Sequence, residues 1–127
     1  MPVELMVHGR YVKLGIEICE DLWDKDYETK VSRELARAGA EILINISASP
    51  FHINRLHERL DIMRDKSSQL KCNFIYCNLI GAQDELVFDG QSCMVNPEGK
   101  LVFISPAFKE ITNIVNLDNC EPISRPE

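Results

Sequence analysis

No stretch of this 127-residue chain stays apolar long enough to span a bilayer, and Met1 to Arg10 lacks the basic start and apolar block of a secretion signal. A cytoplasmic protein without a membrane partner is expected. Clustered positive charge is also missing: 14 Lys and Arg are scattered among 20 Asp and Glu, for a net charge of −6, which argues against a nucleic-acid partner. There is no Cys-x-x-Cys pair. The five cysteines (Cys19, Cys72, Cys77, Cys93 and Cys120) are odd in number and irregular in spacing, so reduced thiols are expected rather than a disulfide framework. His8, His52 and His57 form no zinc spacing with any cysteine, and no metal site is expected. A phosphate-binding glycine loop is lacking too, so neither ATP nor another cofactor is expected to bind.

The chain does have the material for a core, with 45% hydrophobic residues, enough for one globular domain over residues 1–119. Cys120 to Glu127, with Pro122 and Pro126 and no periodicity, reads as a linker-like tail. Val12, Leu14, Ile16 and Ile18 recur at period two, which predicts a strand with those residues on its buried face; Glu20 and Asp21 read as the loop leaving it. Tyr27, Val31, Leu35 and Ala38 then line one face of a helix that Gly39 can end. Ile42 to Ile46 is a short apolar run, as expected of a strand covered on both faces.

A second helix is predicted from Asn54, with Leu56, Leu60, Met63, Ser67 and Leu70 inward and Arg59, Arg64, Asp65, Lys66 and Lys71 largely elsewhere. Asn73 to Ile80 reads as a third buried strand, which completes a βαβαβ series. After a turn at Asp89-Gly90, Asn96-Pro97-Glu98-Gly99 separates Ser92–Val95 from Leu101–Ile104 as in a hairpin, and Ile111–Leu117 reads as a last strand. The fold class is α/β, with a mixed sheet and helices on one face.

Cys19 stands at the carboxyl end of the first of these strands and Ser49-Pro50-Phe51-His52 at the end of the next, where open α/β sheets bind ligands. A free cysteine is most often a small buried hydrophobe, but Glu17, Glu20 and Asp21 around Cys19 fit poorly with apolar burial. Those carboxylates disfavour a thiolate, so nucleophilic attack needs a cation or a base close by. His52 is the best-placed histidine, yet Cys-His hydrolases activate the thiol at a helix amino terminus. His52 and His57 read better as solvent-facing residues.

Gly15-Ile16-Glu17-Ile18-Cys19-Glu20-Asp21-Leu22-Trp23 resembles the nucleophile motif of the nitrilase, or carbon-nitrogen hydrolase, superfamily. With Asn45-Ile46-Ser47-Ala48-Ser49-Pro50, Arg55 just beyond, and Gln83 to Ser92, the order of motifs resembles more narrowly the glutaminase domains of glutamine-dependent NAD synthetases. The likeness runs from about Lys13 to the end of the chain. It implies an αββα sandwich and a Glu-Lys-Cys triad that attacks the side-chain amide of glutamine and releases ammonia through a thioester. Cys19 matches the nucleophile.

By the same resemblance Ser49 and Arg55 hold the substrate amino acid, while Glu20 and Trp23 line its pocket; a guanidinium suits a carboxylate, and a carboxylate suits an ammonium. Read without it, Arg55 is a solvated cation, Ser49 a turn residue and Trp23 part of the core. Asp84, Glu85 and Asp89 read as a solvated charge run, and Cys72, Cys77, Cys93 and Cys120 as structural.

The triad's glutamate and lysine belong, in that family, to segments ahead of the nucleophile strand. Glu4 and Lys13 are the acid and lysine found there, outside the family's motifs, and the roles are not assigned to them. The sequence therefore reads as the carboxyl-terminal part of a glutaminase domain, poorly active by itself, whose partner is an ATP-dependent synthetase domain. Its bared apolar face should favour homo-oligomers. The alternatives are another nitrilase-family amidase and a non-catalytic scaffold piece.

Overall fold

His8 and Gly9 both take positive φ (47° and 83°), the geometry of a two-residue hairpin turn, and they fold Val3–Val7 (β1) back on Arg10–Ile18 (β2). The structure, a computed structural model, describes residues 1–122. Beyond β2, Cys19–Asp26 winds into 3-10 turns broken at Trp23 (φ −91°, ψ 32°), where a plain loop was expected. Helix α1 follows at Val31–Arg37, shorter than predicted, with Tyr27 outside it, and Gly39 (φ 94°) closes its end. Then come β3 (Ile42–Ser47), α2 (Arg55–Leu70) and β4 (Asn73–Asn78). The predicted strand 73–80 breaks at Leu79, and Ile80–Gln83 (β5) pairs with Leu86–Asp89 (β6) as a separate hairpin. The hairpin of Cys93–Val95 (β7) and Leu101–Ile104 (β8) forms as expected. The predicted strand 111–117 contracts to Val115–Asn116 (β9), paired with Glu121–Pro122 (β10); the rest of the predicted tail lies outside the described residues.

Six strands make one mixed sheet in the order β1-β2-β3-β4-β7-β8, with β2, β3 and β4 parallel and the other pairs antiparallel. Register decides what faces the helices. The rows Gly15, Leu43, Phe74, Val95 and Glu17, Asn45, Tyr76, Cys93 lie on one side. There Leu43, Phe74, Tyr76, Cys93 and Val95 join Leu35, Leu60 and Met63 in the core. Gly15 is required by this packing: a Cβ on it would stand 2.8 Å from Leu43 Cδ2 and 3.0 Å from Leu35 Cβ.

Of the predicted buried face of β2, Val12 is buried and Leu14 partly so, but the side that meets the helices is the other one. Gly15 and Glu17 turn inward, whereas Ile16 and Ile18 turn out with Ile46 and Cys77; Ile18 is 65% exposed and Ile46 53%. Period two fixes which residues share a face, but not which face the helices cover. A second correction concerns α2, in which Arg59 is fully buried beside Leu60 and Met63. Its guanidinium carbon stands over the Tyr76 ring, 4.5 Å from its centroid, and opposite Asp89, which the burial of β6 carries inside. Asp89 is therefore not part of a solvated run, while Asp84 and Glu85 are exposed.

Candidate active site

Cys19 is the first residue after β2 and takes φ 44°, a left-handed conformation that costs a non-glycine residue about 1–3 kcal/mol and persists where neighbours impose it. Two bonds impose it here. The Asp21 carboxylate accepts from the Ile18 backbone N–H (2.7 Å), and Asn45 Nδ2 donates to the Cys19 carbonyl (3.4 Å). The residue is half-buried among polar partners and is not sealed in hydrocarbon.

Beneath it lies a buried polar network. Glu17, 1% exposed, accepts from Ser32 Oγ (2.7 Å) and from Asn45 Nδ2 (3.1 Å), and Ser47 Oγ donates to Asn45 Oδ1 (2.5 Å). Lys66 donates to Ser32 Oγ (3.1 Å) and the Asp21 carbonyl (3.4 Å) and pairs with Asp24 at 3.0 Å. Burial raises the Glu17 carboxyl above its ordinary value, against the opposing pull of the Ser32 and Asn45 hydrogen bonds and of Lys66.

Of the residues singled out in the sequence, Arg55 and Trp23 are brought together: the Arg55 guanidinium carbon stands 4.5 Å from the Trp23 ring centroid. Asn54 just before α2 takes φ 71° and starts the helix with Arg55 in its first turn. Arg55 Nη1 also faces Glu58 at 3.4 Å, while its buried Nε has no hydrogen-bond partner among the described residues. Glu20 is exposed and accepts from the Tyr27 hydroxyl (2.7 Å), a bond that raises the Tyr27 phenol. Ser49 is buried and held through its backbone: its N–H donates to Asn78 Oδ1 (2.9 Å) and its carbonyl accepts from Asn78 Nδ2 (3.4 Å). A cleft of about 590 Å³ lined by Leu22, Trp23, Lys30 and Lys66 reaches the tryptophan, but Cys19, Ser49 and Arg55 do not line it.

His52 and His57 are exposed, as expected. Glu4 and Lys13 pair with each other across β1 and β2 at 3.4 Å. Lys13 lies six residues back along the strand from Cys19, about 20 Å at the rise of an extended chain. Cys72 and Cys93 are buried, and burial pushes the Cys93 thiol up to about 12, whereas Cys77 is exposed on the open sheet face.

Sequence reasoning passed over Asn45, Asn78 and Tyr76. Tyr76 is fully buried in the middle of β4, and burial raises its phenol, with Ser47, Ser49 and Cys19 close enough to act on it. The asparagines had a usable signal, since an amide inside an apolar strand needs hydrogen-bond partners there. Nothing in the local pattern marked the tyrosine.

The fold and the cysteine-bearing turn define a family: the Carbon-nitrogen hydrolase model matches residues 2–124, and the chain belongs to that family. Among named proteins it is similar to the glutamine-dependent NAD(+) synthetases of Aquifex aeolicus, 40% identical over 117 residues (92% of this chain, 20% of the relative), and Thermotoga maritima, 37% identical over 114 residues (90% and 19%). The chain thus spans about a fifth of the length of these relatives. Among solved structures, the glutamine-dependent NAD+ synthetase of Acinetobacter baumannii shares the fold across the whole chain and 24% of its own length, at TM-score 0.80 and 24% identity. A carbon-nitrogen hydrolase of Helicobacter pylori aligns over 78% of this chain and 38% of its own at TM-score 0.67 and 25% identity.

Proposed function

We propose that this chain is the nucleophile-bearing part of a glutaminase unit that supplies ammonia to NAD synthesis. The contact of Arg55 with Trp23 carries the reading, because it brings a cation suited to an α-carboxylate onto the 3-10 segment that begins with Cys19. Cys19 Sγ attacks the side-chain amide carbon of glutamine; the tetrahedral intermediate collapses to a γ-glutamyl thioester, and the amide nitrogen leaves as ammonia with the proton the thiol gave up. Water then cleaves the thioester to glutamate and restores the thiol. Arg55 takes the α-carboxylate, Glu20 the α-ammonium, and Ser49 and Trp23 shape the pocket.

In this reading the ammonia passes to an ATP-dependent NAD synthetase domain, and the enzyme works in the cytoplasm. Activation of the thiol calls for a base and a cation. Glu4 and Lys13, about 20 Å away along the strand, do not fill those roles, so the chain by itself captures a substrate analogue but turns over glutamine poorly. The open face of Ile16, Ile18 and Ile46 favours its association into oligomers.

The test is treatment with a chloroketone analogue of glutamine followed by peptide mapping. Labelling of Cys19 in preference to Cys77, suppressed by L-glutamine and not by D-glutamine, is the expected result. Labelling led by exposed Cys77, or blind to glutamine, would reject the proposal.

A further inference from the structure

Glu17 is out of place by its chemistry. It sits on the core side of the sheet, 1% exposed, in a row with Asn45 and Tyr76 and beside the row that carries Leu43 and Phe74. A buried carboxylate is costly, and an apolar residue of similar volume usually serves stability as well or better. Its two oxygens are committed in different directions, Oε2 to Ser32 on α1 and Oε1 to Asn45 on β3. Asn45 has one orientation only: Ser47 donates to its Oδ1, which leaves Nδ2 to bridge Glu17 and the Cys19 carbonyl. From the other flank, Lys66 binds Ser32, Asp24 and the Asp21 carbonyl. β2, α1, β3, α2 and the 3-10 segment are thereby tied into one hydrogen-bonded chain, which ends on Cys19 and its positive φ.

We propose that Asn45 and Glu17 are positioning residues for the nucleophile: Asn45 Nδ2 ties the carbonyl of Cys19 to a buried carboxylate and so fixes the strained turn that presents the thiol. The inference rests on the reading of Cys19 as nucleophile. Neither residue touches substrate. The amide acts on the backbone of Cys19, and the carboxylate acts through the amide.

The chain holds its own controls. Buried Cys72 and Cys93 report the integrity of the fold, and Cys77, exposed in the single chain, reports the reagent at dilutions where the chain does not associate. Rates at each thiol are measured by peptide mapping, with a chloroketone analogue of glutamine and with iodoacetamide, in the native sequence and in Asn45→Asp, Glu17→Ala, Glu17→Gln and Ser47→Ala. Asp at 45 keeps the shape but loses the amide donors. Its chloroketone rate at Cys19 should fall about tenfold or more, as misplacement of a reacting group does, while the iodoacetamide rate at the same thiol rises. Unfolding would instead raise both rates and unmask Cys72 and Cys93.

Glu17→Ala should follow Asn45→Asp, whereas Glu17→Gln, which keeps an acceptor for Asn45, should stay near native rates. Ser47→Ala frees the amide to flip without opening the core and should move both rates in the same directions if Asn45→Asp proves unfolded. Native rates at Cys19 in a folded Asn45→Asp or Ser47→Ala chain overturn the proposal. No preference of native Cys19 for the chloroketone would defeat the glutamine reading alone. Positioning is then decided by iodoacetamide, upheld by a faster rate in the variants and overturned by an unchanged one.

Discussion

Arg59 and Asp89 meet inside the protein, Nη2 to Oδ1 3.7 Å apart, with neither side chain more than 1% exposed. Arg59 also donates to the Gly90 carbonyl at 3.4 Å and stands over the Tyr76 ring, so one guanidinium joins α2, β4 and the end of β6. Removing one member strands the other. Asp89→Ala should cost about 3–5 kcal/mol in urea unfolding, and Arg59→Met with Asp89→Leu should cost much less, since the uncompensated charge is gone. Equal losses in the single and double variants would show that the pair does not act as a unit.

Glu17 makes stability depend on pH in an unusual direction for a carboxylate. Its folded value is raised above the ordinary 4.5, first by burial, so the native state holds the proton more tightly than the unfolded state does. Its contribution is complete below 4.5 and is lost as pH rises through the elevated native value. Relative to Glu17→Gln, the native sequence should therefore weaken as pH climbs above 4.5. Glu41 behaves oppositely, held low first by Arg10, but it is present in both chains and cancels in the comparison. A difference that is flat or grows with pH would contradict the assignment of burial as the dominant cause.

The open sheet face should make the chain associate. Ile18, Ile46 and Cys77 are neighbours in register across three parallel strands, all of them exposed. In sedimentation velocity the native chain should grow heavier with concentration, and Ile18→Lys with Ile46→Lys should sediment as a monomer. Stability should change by no more than about 0.5 kcal/mol per site, because both side chains lie on the open face with more than half their surface in solvent. A native chain that remains monomeric throughout would mean that the face is not sticky enough to matter.

What the sequence disclosed was the order of elements, and what it concealed was the address of its charges. The strands at Ile42–Ser47 and Asn73–Asn78, the helix from Arg55 and the hairpin around Asn96–Gly99 all follow from apolar runs and turn residues. β1 had its own signal, Val3, Leu5 and Val7 at period two before the His8-Gly9 turn, but the run is short and all five residues stay exposed. Glu17, Arg59 and Asp89 were placed outside or left unplaced because a charge reads as solvated until its buried partner is known, and each partner lies on a distant element. Motif order singles out Cys19, Ser49, Arg55 and Trp23, but it holds no hint that the Arg55 guanidinium stands over Trp23. Asn45 had a readable signal as an amide inside an apolar strand, but its partners, Glu17 on β2 and the Cys19 carbonyl just beyond that strand, show only in the fold.

Trp23 is the sole tryptophan, and the Arg55 guanidinium lies 4.5 Å from its ring centroid, so the protein carries an optical probe at its proposed substrate cation. A guanidinium drawn to a ligand carboxylate must shift over that ring, and the indole emission should change when L-glutamine is added. Without the α-carboxylate an analogue should leave the emission alone. In Arg55→Leu the response should vanish, with affinity lower by roughly 1.5–3 kcal/mol, the worth of a hydrogen bond to a charged group. Arg55→Lys should restore little of it, because an ammonium neither lies flat on the indole nor grips a carboxylate with two parallel bonds. Were Arg55→Leu to bind glutamine with the native affinity and the native change in emission, the carboxylate would have to be held elsewhere, and Arg55 would be no more than a cation packed against an aromatic ring.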